Sequence, residues 1–323
     1  MRTAAKRGLL VCLLGVVCGG GICLGDVPAG YDAASFARQG VDPRPIAMGG
    51  AFAGVLTGRP IAYYNPASLV HADTTGVGGL YSEPFGADLG VSFQTLVGQG
   101  AFALQTPSHR LVGLGASWIM MEIRDIPIWE EDSPDVEYFT ARSSLYCATA
   151  AVMLREGLAV GATAKLYQEK ILEGKGRGLG LDVGLQWQLS IDAVPITIGL
   201  NAMDVGQTRI EWRGTEGEPD NYVSWVNKFG VSVKLFEGLL LVAADFDWAV
   251  GRPSRDQLIH IGAEAAPIEA LTIRVGLRAD LEGDLRPSAG VGLHLLEILD
   301  VDYAFVLGTP TGAAHFMSLR LHF

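Results

Sequence analysis

Leu271-Thr272-Ile273-Arg274-Val275-Gly276-Leu277-Arg278-Ala279-Asp280 is the stretch on which the fold turns. Side chains along a strand point alternately to opposite faces. Leu271, Ile273, Val275, Leu277 and Ala279 therefore share one face, and Thr272, Arg274, Gly276, Arg278 and Asp280 share the other. The pattern recurs from about residue 74 onward. In 158–167, 179–189, 240–248, 259–265 and 299–305 the apolar residues again hold one parity, while the charges fall on the other.

Alternation alone is shared with a β-sandwich, whose apolar faces meet each other and whose charges meet water. Three features favour a membrane barrel. The segments are about ten residues long, the length of a tilted membrane strand. Their apolar faces end in aromatic residues (Trp187, Trp248, Phe305), as an interfacial girdle would. The chain also opens with an export signal, described below. Lipid forbids open sheet edges, so the expectation is an all-β, closed, transmembrane antiparallel barrel. Residues 74–323 accommodate about 14 strands at roughly ten residues each plus connections, and an even number suits such barrels. The stretch 76–107 divides least clearly. Short connections are expected at 236–238, 267–269 and 296–297, facing the periplasm. Long polar ones are expected at 124–141, 206–225 and 251–256, facing outward. Two of the long loops are acidic (Glu130-Glu131-Asp132 and 216–220), which reads as a solvated surface. In the last stretch Met317, Leu319, Leu321 and the terminal Phe323 share one face, the ending through which barrel-assembly machinery would recognise the chain.

Arg2, Lys6 and Arg7 precede an uncharged, mostly apolar run at 8–24, and Cys23 and Gly25 are small residues before Asp26. Residues 1–25 therefore read as a signal peptide, with a cut after Ala29 as the alternative. Gly15, Gly19, Gly20 and Gly21 make the run a poor permanent span. No small residue precedes Cys12, Cys18 or Cys23, which argues against a lipoprotein. Removal of the signal leaves one cysteine, Cys147, and no possible intramolecular disulfide. It also leaves 21 basic residues against 35 acidic ones, a net charge near −14 that excludes a nucleic-acid partner. No later apolar run is long enough for a spanning helix. Yet 49% of the residues are hydrophobic and 18% charged, and an exported chain this apolar must hide its apolar side chains in some other way. The 42 glycines suit twisted, closely approached strands better than helices.

The catalytic and metal motifs sought are not found. There is no G-x-S-x-G elbow, no H-E-x-x-H, no Cys/His cluster and no phosphate loop. The six histidines are scattered, and His260 and His294 fall on the charged parity, away from lipid. Gly174-Lys-Gly-Arg-Gly-Leu-Gly180 suggests an anion nest, but reads better as a hairpin that starts a strand with small lumen residues. No cofactor or metal is expected, and no enzyme.

Residues 26–73 do not alternate. They contain Ala47-Met48-Gly49-Gly50-Ala51-Phe52 and Tyr64-Asn65-Pro66-Ala67. Asn65 before Pro66 fits a helix cap with proline at the first helical position. These two motifs ahead of the first strand resemble the opening segment of FadL-type outer-membrane barrels. The nearer resemblance is to the PorV/PorQ group, through Asp302-Tyr303-Ala304-Phe305 and the ending His315-Phe-Met-Ser-Leu-Arg-Leu-His-Phe323. The resemblance implies a 14-stranded barrel over 74–323 with 26–73 folded into the lumen as a hatch. The hatch residues would be Met48, Gly49, Gly50, Phe52, Asn65, Pro66 and Ala67. It implies one of two activities in the outer membrane: a platform or shuttle for secreted or surface proteins, placed first, or passive transport of hydrophobic small molecules. The lumen-facing charges Asp245, Asp247, His260, Glu264, Arg274, Arg278, Asp300, Asp302 and Arg320 are expected to form cross-strand pairs. Arg38, Asp42 or Arg44 of the hatch are expected to meet them.

Overall fold

The structure, a computed structural model, describes residues 33–56, 61–71, 76–83, 92–105, 111–128, 136–192, 194–214, 221–253, 256–295, 298–309 and 312–322. The expected signal peptide, the acidic loop segments and Phe323 lie outside these residues. The strands are β1 (Gly76–Glu83), β2 (Ser92–Gln105), β3 (Leu111–Ile128), β4 (Glu137–Arg155), β5 (Leu158–Ile171), β6 (Gly174–Ile191), β7 (Val194–Met203), β8 (Thr208–Arg213), β9 (Asn221–Val223), β10 (Val226–Leu235), β11 (Leu240–Ala249), β12 (Leu258–Ile268), β13 (Leu271–Asp280), β14 (Leu285–Leu295), β15 (Leu299–Thr309) and β16 (Gly312–His322).

Fourteen of these make a closed antiparallel barrel. Each pairs with its neighbour in sequence, β7 pairs with β10, and β1 closes on β16 from Gly76↔His322 to Glu83↔His315. The short β8 and β9 belong to the connection between β7 and β10, and β8 extends the wall beside the start of β6 through Lys175↔Arg213. Among the described residues, the 76–107 stretch holds β1 and β2. We call the rim where β1 begins and β16 ends the near end, and the opposite rim the far end.

The alternation settles which face meets what. In β13, Val275 is 55% exposed on the outside, whereas Arg274 is 1% exposed on the inside. In β11, Val242, Phe246 and Trp248 point out while Ala243, Asp245 and Asp247 are buried inward. In β16, Met317, Leu319 and Leu321 point out, and Phe316, Ser318 and Arg320 point in. An exterior of Leu, Val, Ile and aromatic side chains has no favourable contact with water; burying it in hydrocarbon is the stable arrangement.

Two expectations about connections need correction. The described parts of the 124–141 region are mostly strand: β3 continues to Ile128 and β4 begins at Glu137, paired through Ile126↔Phe139 and Ile128↔Glu137. A bulge at Arg124–Asp125, with Asp125 at φ 61°, shifts the register and breaks the regular alternation there. Short turns are also not confined to the near end, because β5 and β6 are joined at the far end through Leu172 and Glu173 alone. The result is an uneven rim. β3, β4 and β6 run 18, 19 and 18 residues, against 10 or 11 for β11 to β16.

Candidate functional site

Residues 33–56 and 61–71, for which the name hatch is kept, pack inside the barrel along its inner wall. It contains a 3-10 turn (Ser35–Gln39), a short helix α1 (Pro43–Ala47) and a second 3-10 turn (Pro66–His71). Asp42 caps α1 by accepting from the Arg44 backbone N–H at 2.9 Å, and Pro43 supplies the first helical position, where no donor is needed. Asn65 plays the expected capping part, accepting from Ala67 N–H at 3.0 Å, but the helix it starts is 3-10 rather than α. Its amide donates to Ala53 C=O at 2.9 Å, which ties the two hatch motifs together. Phe52 and Tyr64 pack edge to face at 5.5 Å, with the Arg44 guanidinium 5.3 Å over the Phe52 ring.

Along one arc the hatch is seated by shape. The turn at Pro66–His71 lies against β2 to β6. Gly113, Ala151, Gly161 and Gly184 face one another across β3, β4, β5 and β6. A Cβ at Gly161 would stand 2.6 Å from the Pro66 carbonyl carbon, and one at Gly113 would stand 2.5 Å from that of Leu69. Further round, the facing pair Gly199↔Gly230 receives the backbone of Ala53 and Gly54. Polar residues here finish the backbone bonding: Gln186 donates to Ala53 and Val55, Asn201 to Tyr64, and Ser232 to Gly54, at 2.8–3.1 Å.

Along the other arc glycines again admit the hatch closely, Gly262, Gly276 and Gly290 lying against Ala47 to Gly49, and charges are added to the fit. One Asp245 carboxylate oxygen accepts from the Phe52 and Ala53 N–H groups at 2.8 and 2.7 Å. His260 Nδ1 lies 2.6 Å from Gly49 C=O, and its Nε2 lies 3.1 Å from Asp247, which also pairs with Lys228. Arg44 binds Glu264 with two bonds of 2.7 Å; Arg274 joins the same carboxylate at 2.7 Å and Asp302 at 2.6 Å. Asp42 is held by Arg320 and, at 3.2 Å, by Gln99. Ser288 bridges α1 to β14, donating to Ala47 C=O at 3.0 Å and accepting from Gly49 N–H at 3.1 Å. Such pairs satisfy one another inside a low-dielectric space more than they add net stability. Nearer the near end, His294 bridges Thr272 and Asp300 at 3.0 and 2.7 Å.

All nine anticipated inward charges do face the lumen, and Arg38, Asp42 and Arg44 all reach the wall or its loops. Arg38 donates to Ser224 C=O at 3.4 Å, beside the β7–β10 connection. Arg278 differs from the rest: it forms no ion pair among the described residues and turns toward open space. Sequence reasoning missed the glycine rows, Lys228 as the partner of Asp247, and a buried group in which Lys165 bridges Asp182 and Asp204 at 2.8 and 2.9 Å. The glycines were visible in principle, because they fall on the charged parity of neighbouring strands.

On the far-end side of the hatch lies a chamber of about 460 Å³, within the range of small-molecule sites. Ile46, Tyr63 and Tyr64 form its hatch side, and Met203, Val226, Leu258, Val306 and Phe316 are among its apolar wall residues. Tyr63 donates to Ala37 C=O at 2.6 Å. Burial holds the Tyr63 and Tyr64 phenols above their ordinary ionisation range, so both present neutral hydroxyls. Lys228, Asp247, His260, Arg278 and Arg286 supply polar groups at its margin. Among the described residues there is no group of acids, histidines or cysteines able to hold a metal ion.

This architecture is similar to that of solved hydrocarbon channels. The Ralstonia pickettii toluene transporter TbuX superposes with a TM-score of 0.59 at 16% identity, over 89% of this chain and 100% of that one. The Pseudomonas putida toluene transporter TodX gives 0.60 at 13% identity, over 91% and 99%. The monoaromatic hydrocarbon channel CymD gives 0.58 at 14% identity, over 88% and 98%. At these identities the likeness is one of fold. No protein-family model matches the chain, and no curated protein matches it.

Proposed function

We propose that the chain is a FadL-like outer-membrane channel that admits small hydrophobic molecules into the chamber beyond the hatch. The observation that carries this reading is the chamber itself: a mostly apolar space of about 460 Å³, with charged groups along one side, bounded by a hatch bonded to the wall. Apolar solutes gain by leaving water for such a space, and a hatch held by exchangeable bonds can yield where a packed core cannot. The shared fold with channels whose substrates are toluene and other monoaromatic hydrocarbons supports the same reading. In this account the signal peptide is cut off, the far end faces outward, and barrel-assembly machinery inserts the chain through its last strand.

The platform reading, suggested by the PorV/PorQ resemblance, takes second place. Of the 124–141 region on which it leaned, the described ends up to Ile128 and from Glu137 are paired strand. The experiment that tests the proposal is crystallographic. Crystals of the full barrel soaked in bromobenzene should show anomalous bromine density between Tyr64 and Phe316. An empty chamber, together with a near-stoichiometric protein partner retained on purification from its own membrane, would favour the platform instead.

A further inference from the structure

The outer wall of the tall side gathers charged residues into one strip near the far end. Glu122, Arg142, Lys170, Lys175 and Arg213 stand side by side as direct cross-strand partners on β3, β4, β5, β6 and β8. All five fall on the outward parity of their strands, which at Tyr146, Leu166 and Leu179 meets lipid. Arg177 adds a further exposed cation two residues along β6. Like charges placed directly opposite on neighbouring strands repel. Two carboxylates accompany the strip: Glu122 is bound by Arg142 and by Arg124, and Glu211, opposite Arg177, lies 3.6 Å from Arg209. Lys170, Lys175, Arg177 and Arg213 have no ion pair among the described residues. The chain as a whole has 35 acidic residues against 24 basic ones, so unpaired cations massed on one strip are not a consequence of composition.

The motif 174–180 explains how the strip is made. It is no nest but extended strand, with its glycines on the inner face under Ile210 and Trp212 and its Lys175 and Arg177 on the outer face. Height places the strip. Four residues nearer the near end on each strand comes the row Trp118–Tyr146–Leu166–Leu179, aromatic and apolar. Four residues are about 13 Å along a strand, less along the tilted barrel axis. The cations therefore stand just above the hydrocarbon edge and point sideways, at the level of lipid headgroups.

We infer that this strip binds the phosphate headgroups of membrane lipid in the far-end leaflet, fixing the height and tilt of the barrel. An acidic protein segment is the weaker match, because the strip faces along the membrane plane rather than away from it. Lysine and arginine are suited to phosphate oxygens, and attraction to an anionic bilayer surface falls off with distance and salt. The inference is independent of what occupies the chamber.

The test is lipid retention by the full-length mature chain in mild detergent, read by native mass spectrometry against phosphatidylglycerol and phosphatidylcholine with matched acyl chains. Phosphatidylglycerol should bind roughly tenfold more tightly, with the preference reduced by salt. The variant Lys170→Gln/Lys175→Gln/Arg177→Gln should lose the preference while keeping the heat-modifiable mobility of a folded barrel. Lys234→Gln, an exposed cation near the other rim, should keep it. Equal affinity for the two lipids, or a preference that survives the triple replacement, would overturn the inference. So would recovery of an acidic protein on the strip in place of lipid.

Discussion

Both arcs of the wall seat the hatch on glycines, Gly113, Gly161 and Gly184 on one and Gly262, Gly276 and Gly290 on the other, but they differ in the charge added to that fit. From β3 to β6 the wall offers glycines and alanine to the Pro66–His71 turn, with Gln186 and the Leu185 carbonyl bonding the hatch beside it. From β11 to β16 it offers charges, and the hatch answers with Arg44, Asp42 and the Phe52 and Ala53 amides. Close packing resists deformation and is indifferent to salt. Charged contacts are directional, and their strength depends on whether water reaches them. The chamber opens on the charged arc: Lys228, Asp247, His260 and Arg278 line it, whereas Gly113, Gly161 and Gly184 do not. The comparison assigns the packed arc to anchorage and the charged arc to movement.

Replacements on the two arcs should therefore fail differently. Arg274→Leu should have the largest effect. It breaks the buried ion pairs to Glu264 and Asp302, at a cost of about 3–5 kcal/mol, and should expose residues 43–55 to protease while 61–71 stay protected. Equal loss of protection at both segments would break the distinction. Asp245→Ala comes next, orphaning two backbone donors at about 1–3 kcal/mol each; hydrogen exchange at Phe52 and Ala53 should rise with little change at Ala67. On the packed arc, Gly161→Val should cost about 1–3 kcal/mol through overpacking. It should lower the unfolding temperature without sensitising the charged arc to salt. The smallest effect belongs to Tyr63→Phe, which removes one hydrogen bond to Ala37 at about 1 kcal/mol and should sharpen the comparison by leaving both arcs intact.

The barrel was legible because its cause is local. Lipid outside and a polar filling inside impose a two-residue period on every strand, and Leu271–Asp280 displays it without any knowledge of its neighbours. The inward charges were legible for the same reason. Their partners were not: Arg44 and Glu264 lie 220 residues apart, and nothing local to either names the other. The hatch seat was half visible, since glycines on inward parity signal a close approach without saying of what. The height of β3 to β6 escaped notice because polar residues there occupy both faces above the hydrocarbon, which erases the alternation and reads as loop. Sequence motifs favoured the protein platform over the channel because they report the shared ending of a barrel, not the space inside it.

The central claim is that hydrophobic molecules pass through the far-end chamber. Its most direct test is uptake of radiolabelled toluene by cells whose outer membrane carries either the native chain or Val306→Trp, which fills the chamber from the wall. The account predicts saturable uptake with the native chain and its loss in the variant, with equal amounts of folded barrel in both. Native-chain uptake no greater than that of cells lacking the protein would contradict it.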